Sequence, residues 1–531
     1  MRLLNLLPGT ARVFIAAAVL ITGTPCRGQN TGKLTAPSST ERTDDSLLAL
    51  QKQMIELKSM LEEMRTEVVR SRMETIELRK ELDATRQQLA AAAAQSNATP
   101  SKVTAEAQGE PGASVSSRQG TTGEAVNKLE EDQQLTNAKL ADLYQTKVAS
   151  ASKYRVRLSG IALLNLFSNK GVVDNMDFPS LAAADNSINS GGSFGGTLRQ
   201  SMLGFEVFGP EVKAAKVSAD VQLDFAGGLS YAPNGVTFGL PRLRTGVIRM
   251  TWPSTTLVAG QDAPFFSPLS PTSVASLAIP AFSYAGNLWN WTPQMRLEHR
   301  VNITENSSFI FQGGILDPLT GEPPTSPYLR TPQAGEASRQ PAYAAHIVWN
   351  RRALGHDLAL GIGGYYSRQD WGLGRLVDGW AGTSDLTLPL GNRWELTGEF
   401  YRGRALGGLG GGIGRSVLFS GPITVPATQV RGLNAAGGWA QLKFRQTEKL
   451  EWNGAFGEDD AFARDLCYFP PVQQSYFDPT LARNRSSFLN FIYRPRSNLF
   501  FSPEFRRLRT FSVLGNSETA DQLNLSMGVL F

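Results

Sequence analysis

Few residues of this chain could do covalent chemistry. Its 531 residues hold three histidines, His299, His346 and His356, and two cysteines, Cys26 and Cys467. None of the histidines has neighbours at metal-ligand spacing, and Cys467, in the stretch DLCYFP, has no base beside it to make it a nucleophile. The run GGLGGGIG at 407–414 lacks the lysine and the strand–helix setting of a phosphate loop, so it reads as a flexible external loop. No enzyme, metal or cofactor is expected. What remains is charge. The 52 Lys and Arg and 47 Asp and Glu give a net +5, interspersed rather than massed, which argues against a nucleic-acid partner. Many of them alternate with apolar residues at a period of two, which collects them on one face of a strand. The positive set on that face is Arg155, Arg157, Arg296, Arg300, Lys443, Arg445, Arg494 and Arg506. The negative set is Asp220, Asp224, Glu298, Glu395, Glu399, Glu451 and Glu504. Lining a water-filled channel, they would set up a field across it that orients polar solutes. The plainer alternative is that they hydrogen-bond along an inner wall and keep it wet. Their near balance leaves the choice between anions and cations open.

The elements that must position these charges are strands. In YRVRLSG, Tyr154, Val156 and Leu158 alternate with Arg155, Arg157 and Ser159. KVSADVQLDF, PQMRLEHRV and RWELTGEF repeat the pattern. The closing stretch LNLSMGVLF sets Leu523, Leu525, Met527, Val529 and Phe531 against Asn524, Ser526 and Gly528. Strands are expected at 153–161, 197–208, 215–227, 242–251, 254–261, 293–302, 306–315, 341–351, 355–366, 382–390, 393–404, 434–446, 448–458, 484–494, 497–507 and 517–531. Their connections alternate in length. Short ones such as 252–253 and 391–392 take turns with long ones at 162–196, 228–241, 262–292, 316–340, 367–381, 405–433, 459–483 and 508–516. Short turns on one rim and long loops on the other are the habit of a transmembrane β-barrel. An open soluble sheet of this size would need a second layer, and no helices follow residue 153 to supply it. Closure removes the edges and lets lipid cover the apolar face.

Ahead of the barrel region, 151–531, the texture differs. Residues 1–28 have the layout of a secretory signal, with Arg2 and Arg12, an apolar run from Val13 to Ile21, and small residues before a cut near Gly28. Residues 29–46 read as a linker. From Leu47 to Leu89, apolar residues at alternating spacings of four and three (Leu50, Met54, Leu57, Leu61, Met64, Val68, then Leu78 and Leu82) predict an α-helical coiled coil of unspecified oligomer number. Residues 90–123 are a low-complexity spacer, and 124–150 a short helix.

With these features the chain resembles the Gram-negative outer-membrane porins. The terminal strand ending in Phe531 is similar to their carboxy-terminal signature, and the coiled segment before the barrel resembles the DcaP-like porins. The resemblance implies passive diffusion of small polar or charged solutes, contact with outer-membrane lipid, a homotrimer and a coiled coil in the periplasm. It also implies that the third long loop, about 262–292, folds inward. Its residues Asp262, Phe265, Phe266, Phe282, Tyr284, Trp289 and Trp291 are then the constriction candidates. With Asp262 as its only charge, this loop departs from the acidic loop of general porins. Two other roles fit the same residues: a structural barrel whose stalk reaches toward the cell wall, or a substrate-specific uptake channel.

Overall fold

A computed structural model describes residues 155–185, 191–326, 329–353, 356–470 and 480–531. The signal, linker, coiled coil, spacer and short helix expected over 1–150 lie outside the described residues.

Sixteen antiparallel strands, each hydrogen-bonded to the next in sequence, close into a barrel. They are β1 (Arg155–Lys170), β2 (Gly192–Thr197 and Met202–Val212, two halves that both pair with β1), β3 (Ala215–Asp224), β4 (Arg242–Thr251) and β5 (Thr255–Asp262). Next come β6 (Thr292–Thr304), β7 (Ser307–Leu316), β8 (Ala342–Ala353), β9 (His356–Asp370), β10 (Leu376–Leu390) and β11 (Trp394–Arg404). The last are β12 (Asn434–Arg445), β13 (Leu450–Ala461), β14 (Leu481–Arg496), β15 (Leu499–Ser512) and β16 (Ser517–Leu530). The ring closes where β16 pairs with β1, from Ile161↔Leu530 to Lys170↔Asp521. Below this ladder Gly160 and Phe531 exchange both backbone hydrogen bonds, at 2.8 and 3.1 Å.

The pleat sorts the side chains. On β16 the buried Gln522, Asn524 and Ser526 face inward, whereas Leu523, Leu525, Met527 and Val529 are exposed on the outside. That reverses the rule for a soluble sheet and suits a wall with water inside and lipid outside. Near the short turns, the register puts four outward rings side by side: Trp394, Phe444, Trp452 and Phe491, with centroids 4.4 Å apart in the first pair and 5.0 Å in the last. Such a row fits the interfacial level of a bilayer, where amphipathic rings gather.

The departures from the expected boundaries are concentrated at the long-loop rim. The expected loop 162–196 narrows to 171–191, since β1 runs on to Lys170 and β2 begins at Gly192. The expected loops 367–381 and 508–516 shrink to tight turns, 371–375 and 513–516. In each case the strands rise past the apolar band, where outward positions carry Ser168, Lys170, Asp378, Arg507 and Arg509, so the alternation that marks a strand fades. Numbered from the amino-terminal end, the loops on this rim are L1 (171–191), L2 (225–241), L3 (263–291), L4 (317–341), L5 (371–375), L6 (405–433), L7 (462–480) and L8 (513–516).

Candidate functional site: a loop-braced lumen above a charged vestibule

L3 enters the barrel because β5 is short. It has eight residues where β9 and β10 have fifteen, so the chain leaves the wall partway up and turns inward. Once inside, L3 is fastened to the wall strand by strand. Phe266 stacks on Tyr365 of β9 with centroids 5.0 Å apart. Ser267 Oγ and Leu269 N donate to Glu399 of β11 at 2.9 and 2.7 Å. Thr272 N donates to Gln441 of β12 at 2.6 Å. Ser273 Oγ donates to Glu504 of β15 at 2.6 Å. Gln200, in the break of β2, accepts from Leu277 N and Ala278 N and donates to Ala275 O. On β4, Arg242 and Arg244 donate to the carbonyls of Ala278 and Leu277. These polar anchors are buried: Glu399 is 7%, Glu504 2% and Gln200 0% exposed. A buried polar group without a partner costs about 1–3 kcal/mol, so each anchor holds the loop to one position.

The returning half of L3 lies in a trench of wall glycines. A Cβ on Gly437 would sit 3.0 Å from Gly286 Cα, and one on Gly457 would strike Ala285 O and the Phe282 ring. Gly286 itself has φ +95°, and a Cβ there would run into backbone atoms of Gly438 and Glu458. Glycine in a strand interior marks such an approach of a second backbone.

The glycine-rich run 407–414 does not project outward as an external loop. It is folded into the barrel mouth and mostly buried, with Ile413 1% exposed. Leu409 O accepts from Trp289 N at 3.0 Å, Gly408 O accepts from Asn290 Nδ2 at 2.8 Å, and Gly412 N donates to the Tyr401 hydroxyl at 3.1 Å. L6 therefore braces L3. The glycines serve backbone contact here, at Gly410, Gly412 and Gly414 with positive φ, where a loop signal alone suggested freedom.

This geometry divides the sequence-derived candidates by height. Asp224, Arg296, Glu399, Glu504 and Arg506 lie at the level of L3. Asp224 is 0% exposed and holds Arg242 and Arg244 at 2.6 and 3.0 Å. Arg506 pairs with Glu504 at 2.6 Å and also donates to Ser273 Oγ at 3.1 Å. Arg296 pairs with Asp262 and Glu298 and lies over the Phe265 ring. Nearer the short turns are Arg155, Arg157, Asp220, Glu298, Arg300, Glu395, Lys443, Arg445, Glu451 and Arg494, on the inward parity of their strands. Most are joined across strands: Arg157 to Glu206 at 3.5 Å, Glu395 to Lys443 and Arg445 at 3.4 and 3.1 Å, Glu451 to Arg494 at 3.4 Å, and Asp220 to Arg249. They form a charged vestibule below L3. In these pairs the arginines reach further into water than their acids, whereas Lys443 does not. The side chains of Arg157, Arg445 and Arg494 are 52%, 43% and 38% exposed, against 20% for Glu395 and 15% for Glu451.

The aromatic constriction candidates do not form an open ring-lined surface. Phe265, Phe266 and Phe282 are buried in packing against the wall, Phe282 on Phe488 at 5.1 Å. The Tyr284 carbonyl accepts from Asn484 at 2.9 Å, and Trp289 and Trp291 meet edge to face at 5.6 Å. Trp291 also lies under Arg242 and Arg244, at 4.9 and 4.6 Å. Sequence reasoning missed Arg242, Arg244, Arg249, Gln200 and His346. His346 is buried and links Gln312, at 2.9 Å, to Asp385, at 2.7 Å. Its signal was available, since it sits on the inward parity of β8, opposite Gln312. His299 faces outward and pairs with Thr255 Oγ1 at 2.8 Å. Cys467 is exposed. Among the described residues no group of three His, Cys, Asp or Glu is placed to hold a metal ion.

The barrel also has a counterpart among known structures. The outer membrane channel DcaP of Acinetobacter baumannii superposes with a TM-score of 0.55 at 13% identity, covering 73% of this chain and all of that one. An anion-selective porin from Comamonas acidovorans matches with a TM-score of 0.42 at 10% identity, over 71% of this chain and all of its own. OmpT of Vibrio cholerae matches with a TM-score of 0.42 at 9% identity, over 72% of this chain and all of its own. No protein-family model matches the sequence, and no curated protein matches it. The fold is shared with the barrel of the outer membrane channel DcaP.

Proposed function

We propose that the chain is an outer-membrane porin for passive diffusion of small hydrophilic solutes, with a preference for anions. The observation that carries this is L3 itself. It is held inside the barrel by buried hydrogen bonds around the wall, so the lumen is narrowed at one level and leaves a wet, charged vestibule beneath. The preference for anions rests on the further reach of Arg157, Arg445 and Arg494 into that vestibule. The candidate charges then have two roles: those at the L3 level shape the constriction, and those below it steer ions. The reading is completed by the sequence of the preceding segment. Residues 1–28 are removed on export, the coiled coil at 47–89 stands in the periplasm, and the resemblance to the DcaP-like porins supports an assembly of three copies. Liposome swelling with the purified full-length protein tests it. Swelling should be faster for small anions than for matched cations, and uncharged sugars should show a size limit. Vesicles that do not swell would favour the structural, wall-tethering role.

A further inference from the structure

The wall where L3 enters the lumen holds a buried cluster that diffusion by itself does not call for. Asp385 of β10 and Glu399 of β11 stand directly opposite each other on the inward face, 8% and 7% exposed. Like charges at opposed positions destabilise a strand pair. Among the described residues neither has a lysine or arginine as an ion-pair partner. The base beside them is His346 of β8, with Nε2 2.7 Å from Asp385 Oδ2. Its Nδ1 meets Gln312 Oε1 of β7 at 2.9 Å, and Gln312 Nε2 donates to Glu298 Oε1 of β6 at 3.0 Å. These contacts fix a proton count. Glu298 also takes Arg296 Nε at 2.7 Å, so it is a carboxylate and only accepts. Gln312 therefore turns its nitrogen to Glu298 and its oxygen to His346. An amide oxygen only accepts, so Nδ1 carries a hydrogen. The contact at Nε2 then needs a second proton, because a ring lone pair and a carboxylate oxygen repel at that distance.

The cluster is also placed to act on L3. His346 faces Gly363 across the β8–β9 pair, and a Cβ on Gly363 would meet both the His346 ring, at 3.2 Å, and Phe266 O, at 2.6 Å. Ring and loop thus share one space. Glu399, beside Asp385, accepts the two L3 donors Ser267 Oγ and Leu269 N. The titratable and charged groups around His346 are Glu298 and Arg296 of β6, reached through Gln312, then Tyr365 of β9, Asp385 of β10 and Glu399 of β11. At the end of β5, Asp262 is held by Arg296.

We infer that His346 is the positioning residue for the entry of L3, and that its imidazolium holds the loop by compensating the opposed wall carboxyl groups. With the second proton in place, Asp385 is neutralised and Glu399 is left to the loop. Removing it turns a lone pair toward Asp385 and leaves two buried carboxyl groups face to face with no cation. The ring then moves against Phe266, and the grip of Glu399 on Ser267 and Leu269 weakens. Imidazole is the side chain that changes charge in the neutral range, so the hold is complete on the acid side and lost as the pH rises. The inference rests on the reading that L3 sets the width of the pore, and adds the residue that fastens the loop and the condition that frees it.

The test is hydrogen exchange of L3 in the full-length protein in detergent micelles, read by mass spectrometry on peptides covering Leu269. It is run at about pH 5.5 and about pH 9, with the intrinsic pH dependence of exchange divided out. The wild type should exchange there about tenfold faster at the higher pH, with β16 unchanged. H346Q should exchange fast at both values. H346Q/D385N, which removes both charges, should be slow at both. Single-channel current should grow over the same range in the wild type and stay level in the double variant. The absence of a pH step in the wild type would overturn the inference. So would a step that survives in H346Q, which would put the proton elsewhere. A double variant that exchanges as fast as H346Q would overturn it too, by making the histidine a packing residue. A barrel that shows the exchange step and never conducts supports the role of His346 and counts instead against diffusion.

Discussion

Removing Glu504 should release the constriction loop. Glu504 is buried on β15 and its two oxygens serve four donors: Nε and an Nη of Arg506, Ser273 Oγ of L3 and Asn490 Nδ2. Glu504→Ala strands Arg506, 3% exposed, without its carboxylate. Breaking a buried pair by deleting one partner costs about 3–5 kcal/mol, mostly because a charge is left buried and alone. Replacing both members by apolar groups is close to neutral. The same logic therefore separates three variants. E504A should lower the unfolding free energy by about 3–5 kcal/mol. E504L/R506M should recover most of that loss. Ser273→Ala, which removes only the loop's side of the contact, should cost about 1 kcal/mol. Single-channel recording supplies a second readout. All three variants should show larger or noisier current steps than the wild type, since each cuts the tie between L3 and β15. E504A within about 1 kcal/mol of wild type and with unaltered current would refute the claim that buried polar anchors hold the loop.

Three further outcomes follow from the same geometry. Gly286→Ala should push L3 off the wall, because its positive φ alone costs a side chain about 1–2 kcal/mol and the Cβ has no room. Limited proteolysis within 263–291 would detect it, and an unaltered digest would count against the trench. Arg249→Glu reverses a vestibule charge beside Asp220. At about 8 Å in water each unit charge contributes about 0.5 kcal/mol, so a two-unit reversal shifts anion and cation by about 1 kcal/mol each in opposite directions, and the anion-to-cation permeability ratio should fall about thirtyfold, measured as a reversal potential in a salt gradient. At the rim, burial pushes the Asp465 carboxyl up, but hydrogen bonds from Asn434 and Arg431 outweigh it and hold the group below its ordinary value. Its stabilisation of L6 against L7 is thus complete above the ordinary carboxylate range and lost as the pH falls below it. Hydrogen exchange in 462–470 should rise only below about pH 4, and Asp465→Asn should abolish that dependence.

The barrel was legible because lipid and water impose opposite demands on alternate residues. Leu523, Leu525 and Met527 against Asn524 and Ser526 leave little other choice for β16. Where lipid ends, so does the signal, and Arg507, Arg509 and Thr519 continue strands that no alternation announces. The inward charges could be read from parity alone, but their division into loop anchors and vestibule could not. Glu399 and Glu395 are four residues apart on one face. Only the path of L3 makes the first a buried acceptor and leaves the second in a water-exposed ion pair. Gly437 and Gly457 were visible as glycines in strands, a sign of close approach, but what approaches them comes from a loop more than a hundred residues away. The 407–414 run misled for a related reason. The same composition serves a free loop or one pressed between two others, and only its neighbours decide.

Current through the pore decides whether the barrel is a porin. Full-length protein inserted into a planar bilayer should give discrete, ohmic steps that open in groups of three and reverse toward the anion equilibrium potential in a salt gradient. A protein with the strand content and heat resistance of a closed barrel that inserts and never conducts would contradict it.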